Sequence, residues 1–400
     1  SVGFDAAGNP TMAALKFAEK AGVPIDRVRV KETEKGSYLC ADKVESTLPT
    51  REILSKVMPE VIAAIPFPKS MKWGELNVTF ARPVRWILAL LGAEVVPFAY
   101  GDVRSGNRSY GHRFMHPGSI PIAHPDAYVE ALRGASVLVD LAERRQIIEQ
   151  EISRTAEGLN GRILPDPELV DTVKNLIEFP AVVAGKFDDL FLEVPDEVLI
   201  TAMREHQKYF AVVDAHQKLL PCFIVVNNTL ARDMGLVATG HERVIRARLS
   251  DARFFFKGDA ATSMETWVEK LKKVLFQAQL GSVYDKAMRV EKLALFIAGA
   301  LAAEDALRSH VARAARLCKA DLVSQVVVEF PKLQGVMGRI YAGLAGEPEA
   351  VATAIEEHYR PTYSGGPLPT AATGAVLAVA DKLDSICGCF SIGQIGRAHV

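Results

Sequence analysis

The chain has 400 residues, with 47 Lys+Arg against 48 Asp+Glu and a formal net charge of −1. That balance argues against a histone-like or strongly basic nucleic-acid binder, so any RNA contact must come from local patches. With 49% hydrophobic and 24% charged residues it reads as a soluble globular chain with ample core material, long enough for two or three domains.

In chain order, the pattern predicts a helix over 11–22, with Thr11 as cap and Gly22 as stop. A hairpin over 28–44 turns at Gly36, and a second helix capped by Thr50 runs to about 65. FPKSMKWG (67–74) follows as a Pro-punctuated loop in which Lys69 and Lys72 flank Met71 and Trp73. Such a loop suits RNA or a partner subunit, or simply anchors Trp73 on the core. A short apolar helix is expected over 82–91 with Gly92 at its end, then a strand over 94–100 and an irregular Gly- and His-rich stretch over 105–116. His112, His116 and His124 lie near one another, but no accompanying acid supports a metal reading; Arg104, Arg108, His112 and Arg113 suit a phosphate or an acidic surface instead.

Further helices are expected over 126–132, 140–159 (Asp140 as cap, Glu143 completing a capping box) and 165–174, with strands over 137–139 and 181–187. A helix over 195–205 precedes paired strands over 209–214 and 220–228, and a helix from 240 to about 257 closes this portion. Strands and helices without strict β-α alternation indicate α+β. From 264 to 386 everything reads as helix, in segments 264–280, 284–302, 305–329, 332–344, 348–359 and 370–386. The domain reading is a mixed α+β portion over 1–262, with a possible break near 115–165, then an all-α domain over 263–395.

The five cysteines, Cys40, Cys222, Cys318, Cys387 and Cys389, are scattered and fit no zinc spacing, so they read as reduced thiols of a cytoplasmic protein. The longest weakly charged run, 86–100, is interrupted by Glu94 and too short to cross a bilayer.

One stretch concentrates charge. Residues 204–257 hold nine Lys/Arg against five Asp/Glu, with Tyr209, Phe210, Phe254, Phe255 and Phe256 beside them. Basic side chains neutralise phosphates and aromatics stack on bases, but the same pattern suits an amphipathic helix with its Phe residues inward and its Arg residues solvated. Arg204, His206 and Lys208 alternate at a helix-to-strand corner, and Arg243, Arg246 and Arg253 are spaced to share a helix face. GLVATG (235–240) has the spacing of a phosphate loop but continues His241-Glu242, without the lysine and hydroxyl that chemistry needs. No residue set capable of adenylation emerges, and no catalytic residue is assigned.

MREHQKYF (203–210), ERVIRARLSDARFFF (242–256), FPKSMKWG, FARPVRWILALLG (80–92), SGNRSYGHRF (105–114), KADLVSQVVVEFPKLQGVMGRIYA (319–342) and ADKLDSICGCFSIGQI (380–395) together resemble the β subunit of the bacterial two-subunit (α2β2) glycyl-tRNA synthetase family. The likeness is collinear from about 4 to 395. It implies a ligase subunit that recognises tRNA(Gly) and assembles with an α subunit as a heterotetramer. That α subunit would bind glycine and use ATP and Mg, leaving this chain without cofactor, metal or membrane. It also implies an excised fragment, with 396–400 (GRAHV) as a possible appended remnant.

The helical domain further resembles the HD phosphohydrolase fold. The likeness places the fold's His-Asp pair at Ala320-Asp321, its last Asp at Asp381 and its first His at Tyr284. Two imidazoles are then missing, and two carboxylates are too few for a transition metal, so a degenerate scaffold is expected. A metal-dependent phosphohydrolase and a pure assembly scaffold are the competing functions.

Overall fold

The computed structural model describes residues 3–5, 7–43 and 47–394, so the expected remnant at 396–400 lies outside the described residues. It is a multidomain α+β chain of two compact units, residues 1–110 with 119–131 and residues 111–118 with 132–400.

The first unit opens with the helix Met12–Ala21, stopped by Gly22 in the left-handed region (φ 67). Thr11 holds the cap position, but its hydroxyl donates to the Gly3 carbonyl rather than capping. The hairpin Val28–Thr33/Gly36–Ala41 and the helix Thr50–Ala64 follow, the helix entered through Pro49, with Thr50 already inside it.

The helix expected over 82–91 does not form. Ile87–Leu88 pairs in parallel with Val103–Gly106, and Leu90–Leu91 pairs with Glu94–Val95 around a two-residue turn. An apolar run this short has no decisive period, and Gly92 (φ 60) starts a hairpin turn where it was expected to stop a helix. The strand expected over 94–100 is split into Glu94–Val95 and Ala99–Tyr100, on either side of Pro97. The stretch expected to be irregular holds the strand Arg108–Tyr110, paired with Ser119–Pro121.

The second unit is built on a four-stranded antiparallel sheet in the order Arg162–Ile163, Phe210–Val213, Leu219–Asn227, Ala181–Lys186. Both faces are buried, and alternation sorts them. Cys222, Ile224 and Val226, with Phe210 and Val212, meet the helices Leu141–Glu157 and Pro167–Leu176. Phe223 and Val225, with Ala211, join a larger core that includes Ile245 and Leu249 of the helix Met234–Ala260. That core also takes in Trp267, Val290, Val311, Tyr341, Ile355 and Leu377, and is continuous across Thr262.

Asp140 caps its helix through the Ala142 and Glu143 amides, but the Glu143 carboxylate pairs with Arg133 and no capping box closes. The strand expected over 137–139 is absent. The Leu138 amide donates to the Glu178 carbonyl, and no ladder extends from it.

The helix expected over 264–280 ends at Lys270 and gives way to a short hairpin, Leu275–Gln277 with Gly281–Ser282. The helix expected over 305–329 ends at Leu317; a 3-10 turn, Ala320–Val323, intervenes, and Ser324 caps a new short helix, Gln325–Glu329. The helices Val283–Ala300, Val336–Leu344, Glu349–Glu357 and Ala372–Ser391 are also part of this helical portion. All five cysteines are free. Among the described residues no helix is long and apolar enough to cross a membrane.

Candidate functional site

The corner MREHQKYF is a backbone irregularity. The helix Asp196–Ala202 widens into a π-helical turn, Met203–Gln207, and Lys208 then adopts φ 58 before the chain enters the sheet. Single π turns re-aim side chains and recur at functional sites. Here the turn sends Arg204 into a nest of three carboxylates: Asp166 (2.5 Å), Glu168 (3.0 Å) and Glu205 (2.7 Å). The Asp166 hydrogen bond raises the Arg204 pKa, fixing it as a cation. Glu205 also takes the Lys332 ammonium at 2.8 Å. The His206 ring packs on Phe330 at 5.3 Å, and the Lys208 ammonium donates to the Glu205 carbonyl. Three of the sequence-predicted basic residues therefore tie the corner to its own surroundings.

The aromatic neighbours behave likewise. Tyr209 and Phe210 are buried, and Tyr209 donates its hydroxyl to His241 Nδ1 (2.7 Å), whose Nε2 reaches Asn227 Oδ1 (2.8 Å). Phe255 and Phe256 pack on the core and Phe254 is exposed.

On the long helix, Arg246 pairs with Asp188 at 3.2 Å, and Arg253 pairs with Glu193, which also takes Lys257 at 3.1 Å. Arg243 is exposed and has no ion-pair partner among the described residues. The same holds for Lys69 and Lys72, which lie in the first unit. Arg113 lies over the ring of exposed Phe114 at 5.7 Å. Nearby His112 is buried, its Nδ1 accepting the amides of Phe114 and Met115, a turn-forming role.

A buried charge cluster lies among the C-terminal helices. Lys319 Nζ sits 2.7 Å from His358 Nε2, 3.3 Å from Asp381 Oδ2 and 4.1 Å from the Tyr359 ring centre. His358 Nδ1 lies 2.6 Å from the Ile355 carbonyl. A carbonyl only accepts, so the proton is on Nδ1 and Nε2 receives a hydrogen from the Lys319 ammonium. Burial, then Lys319, drives the His358 pKa well below its ordinary value, so the ring stays neutral. Lys286 bridges Asp381 (3.1 Å) and Asp384 (3.2 Å), and Arg289 holds Asp384 at 2.7 Å. Burial pushes the Asp381 carboxyl up, but Lys319, His358 and Lys286 outweigh it and hold the pKa below its ordinary value.

The four positions singled out by the HD likeness are not brought together as a ligand set. Tyr284 lies under the Lys272 ammonium, Ala320 is core, and Asp321 accepts the Gly335 (2.6 Å) and Gly338 (3.0 Å) amides. Among the described residues no group of three or more His, Cys, Asp or Glu could hold a metal ion.

Lys286 and His358 were missed in the sequence, although a signal was present. His358 continues the buried stripe Val351–Ile355 at helical spacing, and Lys286 lies within the buried run Val283, Ala287, Val290. A polar residue on an apolar stripe marks a buried partner.

Asp321 gives a pH-dependent expectation. Burial raises its pKa from 3.8 to about 6 against the two glycine amides. A raised carboxyl pKa favours the protonated native state, so this group costs stability as pH rises from about 4 through about 6. The full cost is about 3 kcal/mol. Relative to Asp321→Asn, the wild-type chain should lose stability across that window in urea unfolding. Parallel profiles for the two proteins would refute the assignment.

A family model described as glycyl-tRNA synthetase beta subunit matches residues 1–399. The chain belongs to the glycyl-tRNA synthetase beta subunit family.

It is 54% identical over 394 residues to the glycine–tRNA ligase beta subunit of Desulforapulum autotrophicum, covering 98% of this chain and 57% of that protein. Against the same subunit of Desulfatibacillum aliphaticivorans the figures are 55% over 395 residues, 99% and 57%. Against that of Geobacter sulfurreducens they are 48% over 395 residues, 99% and 57%. The chain thus spans 57% of the length of these relatives. Within this family framework, the exposed cations without partners, Arg243, Lys69 and Lys72, are the sequence-predicted residues left available to an outside group.

Proposed function

We propose that this chain is the part of a glycine–tRNA ligase beta subunit that handles tRNA(Gly) and docks the α subunit. ATP-dependent activation of glycine belongs to that partner, which would use ATP and Mg, in an α2β2 assembly in the cytoplasm. The observation that carries the reading is the family match along the whole chain. The C-terminal helices act as a degenerate HD-like scaffold in this reading. Beside the Asp381 position, the Lys319 ammonium lies between His358 and Asp381 and supplies the positive charge there.

Arg243, with Lys69 and Lys72 on the other unit, meets RNA phosphates in this reading, while Arg204 and Arg253 serve structure. Phosphate contacts position RNA without reading its sequence, and each one lost lowers the salt slope of binding by about one. Arg243→Glu should weaken tRNA(Gly) binding by the ligase complex and lower that slope at unchanged melting temperature. Arg204→Ala should lower the melting temperature, since it leaves Asp166 and Glu205 without their shared cation. Unchanged tRNA affinity in Arg243→Glu and in the Lys69→Glu/Lys72→Glu pair would remove these residues from the interface.

A further inference from the structure

The last described helix, Ala372–Ser391, is apolar on two sides. One side is buried, through Val376, Leu377 and Ala380, in a bundle with the helices Val283–Ala300, Asp305–Leu317 and Glu349–Glu357. A second side carries Val379, Leu383, Ile386 and Phe390, which are 48%, 39%, 51% and 58% exposed. At the helical turn of roughly 100° per residue these four fall within an arc of about 60°, a single stripe about 17 Å long.

No charge interrupts that stripe. The helix holds three charged residues, Asp381, Lys382 and Asp384, and each is tied to its own surroundings. Asp381 meets Lys286 (3.1 Å) and Lys319 (3.3 Å), and Asp384 meets Lys286 and Arg289. Lys382 donates to the carbonyls of His358 (3.1 Å) and Arg360 (2.8 Å). From Val379 to Phe390 every exposed residue is therefore apolar: the four above and Cys387. A helix that faces water carries polar residues on its outer face, and one that is apolar all round is buried. The helix Thr50–Ala64 shows the contrast, since its exposed Ile53, Val57 and Val61 are interleaved with exposed Arg51, Glu52, Lys56 and Glu60.

The size of the stripe favours a tethered partner. Four half-exposed side chains present on the order of 400 Å2 of apolar surface. That is half of the ~800 Å2 that one chain gives to a standard interface between separate proteins. A segment of the same subunit needs less, because its linkage holds it at a high effective concentration. The three relatives named above have the length for it, as this chain spans 57% of each. The part of such a subunit that it does not match is long enough for a further domain.

We propose that a helix from the remaining part of the full-length beta subunit packs along Val379, Leu383, Ile386 and Phe390, setting its own apolar side chains between them. Its contact face carries no charge, because none on this side would pair with it. This covering follows from membership of the family and holds whether or not the chain meets tRNA.

The test compares the 400-residue chain with the full-length subunit containing it. Cys387 is exposed beside the stripe, next to Ile386, and reports its cover. Its alkylation by iodoacetamide is followed by peptide mass spectrometry and normalised to the rate in urea. The expected result is rapid reaction in the 400-residue chain and reaction about tenfold slower, or more, in the full-length subunit. Leu383→Asp should lower the melting temperature of the full-length subunit by several degrees more than that of the 400-residue chain, with Leu383→Ala between wild type and Leu383→Asp. Equal Cys387 rates in the two proteins, or equal melting shifts for Leu383→Asp, overturn the proposal. So does protection of Cys387 already in the 400-residue chain together with a dimer in sedimentation, which would assign the stripe to a second copy. Protection of the full-length subunit only after an α subunit is added overturns it too, and would assign the stripe to that partner.

Discussion

Asp381→Ala should destabilise the chain by about 3–5 kcal/mol, the cost of removing one partner from a buried ion network. The carboxylate lies between Lys319 and Lys286, both nearly sealed from solvent, and is itself only 14% exposed. Without it the Lys319 ammonium keeps only the His358 imidazole and the Tyr359 ring, and two buried cations face each other without the intervening charge. Lys286 is partly protected because Asp384 and the Ser385 hydroxyl remain. Asp381→Asn should cost less, since an amide oxygen still accepts a hydrogen bond. The double change Lys319→Met/Asp381→Leu should recover part of the loss, because an apolar pair carries no desolvation penalty. Urea unfolding of the four proteins measures this, and a loss below about 1 kcal/mol in Asp381→Ala would mean the network is solvated.

Asp259→Ala is the second large effect, expected at about 3–5 kcal/mol for loss of a buried, fully bonded carboxylate. Asp259 is 3% exposed at the end of the helix Met234–Ala260. It accepts the amides of Gln325 and Val326 and the Tyr341 hydroxyl, each at 2.9 Å. It therefore supplies, from a distant helix, the acceptor that the first amides of Gln325–Glu329 lack within their own turn. Alanine leaves three donors unpaired. Asparagine retains one acceptor oxygen and should cost roughly half as much, the remainder coming from its misdirected amide hydrogens. Equal melting temperatures for Asp259→Ala and the wild-type chain, by thermal scanning, would contradict the role assigned to this carboxylate.

The central sheet and the C-terminal helices were legible because their patterns are long. Phe210–Val213 and Leu219–Asn227 are β-branched and aromatic runs around a polar turn, and Val283–Ala300 and Ala372–Ser391 carry several turns of apolar spacing, whereas the helices expected over 264–280 and 305–329 stop at Lys270 and Leu317. The first unit was misread where elements shrink to two or three residues, as at Ile87–Leu88 and Leu90–Leu91, too short for any period to declare itself. Charge was legible only as composition. Apart from Glu205 beside Arg204, the acids that occupy Arg204, Arg246 and Arg253 include Asp166, Asp188 and Glu193, remote in sequence, so no local pattern announces those. The buried lysines show the opposite limit: their helical positions were readable, but their partners come from helices far along the chain.

The most direct test of the account is glycine charging of tRNA(Gly) by the full-length subunit containing this chain, with and without a candidate α subunit. The account predicts charging in the mixture, none by this subunit alone, and weaker charging at limiting tRNA when Arg243 is changed to Glu. An inactive mixture, together with metal-dependent phosphoester hydrolysis by this chain alone, would contradict it and make the C-terminal helices the seat of the chemistry.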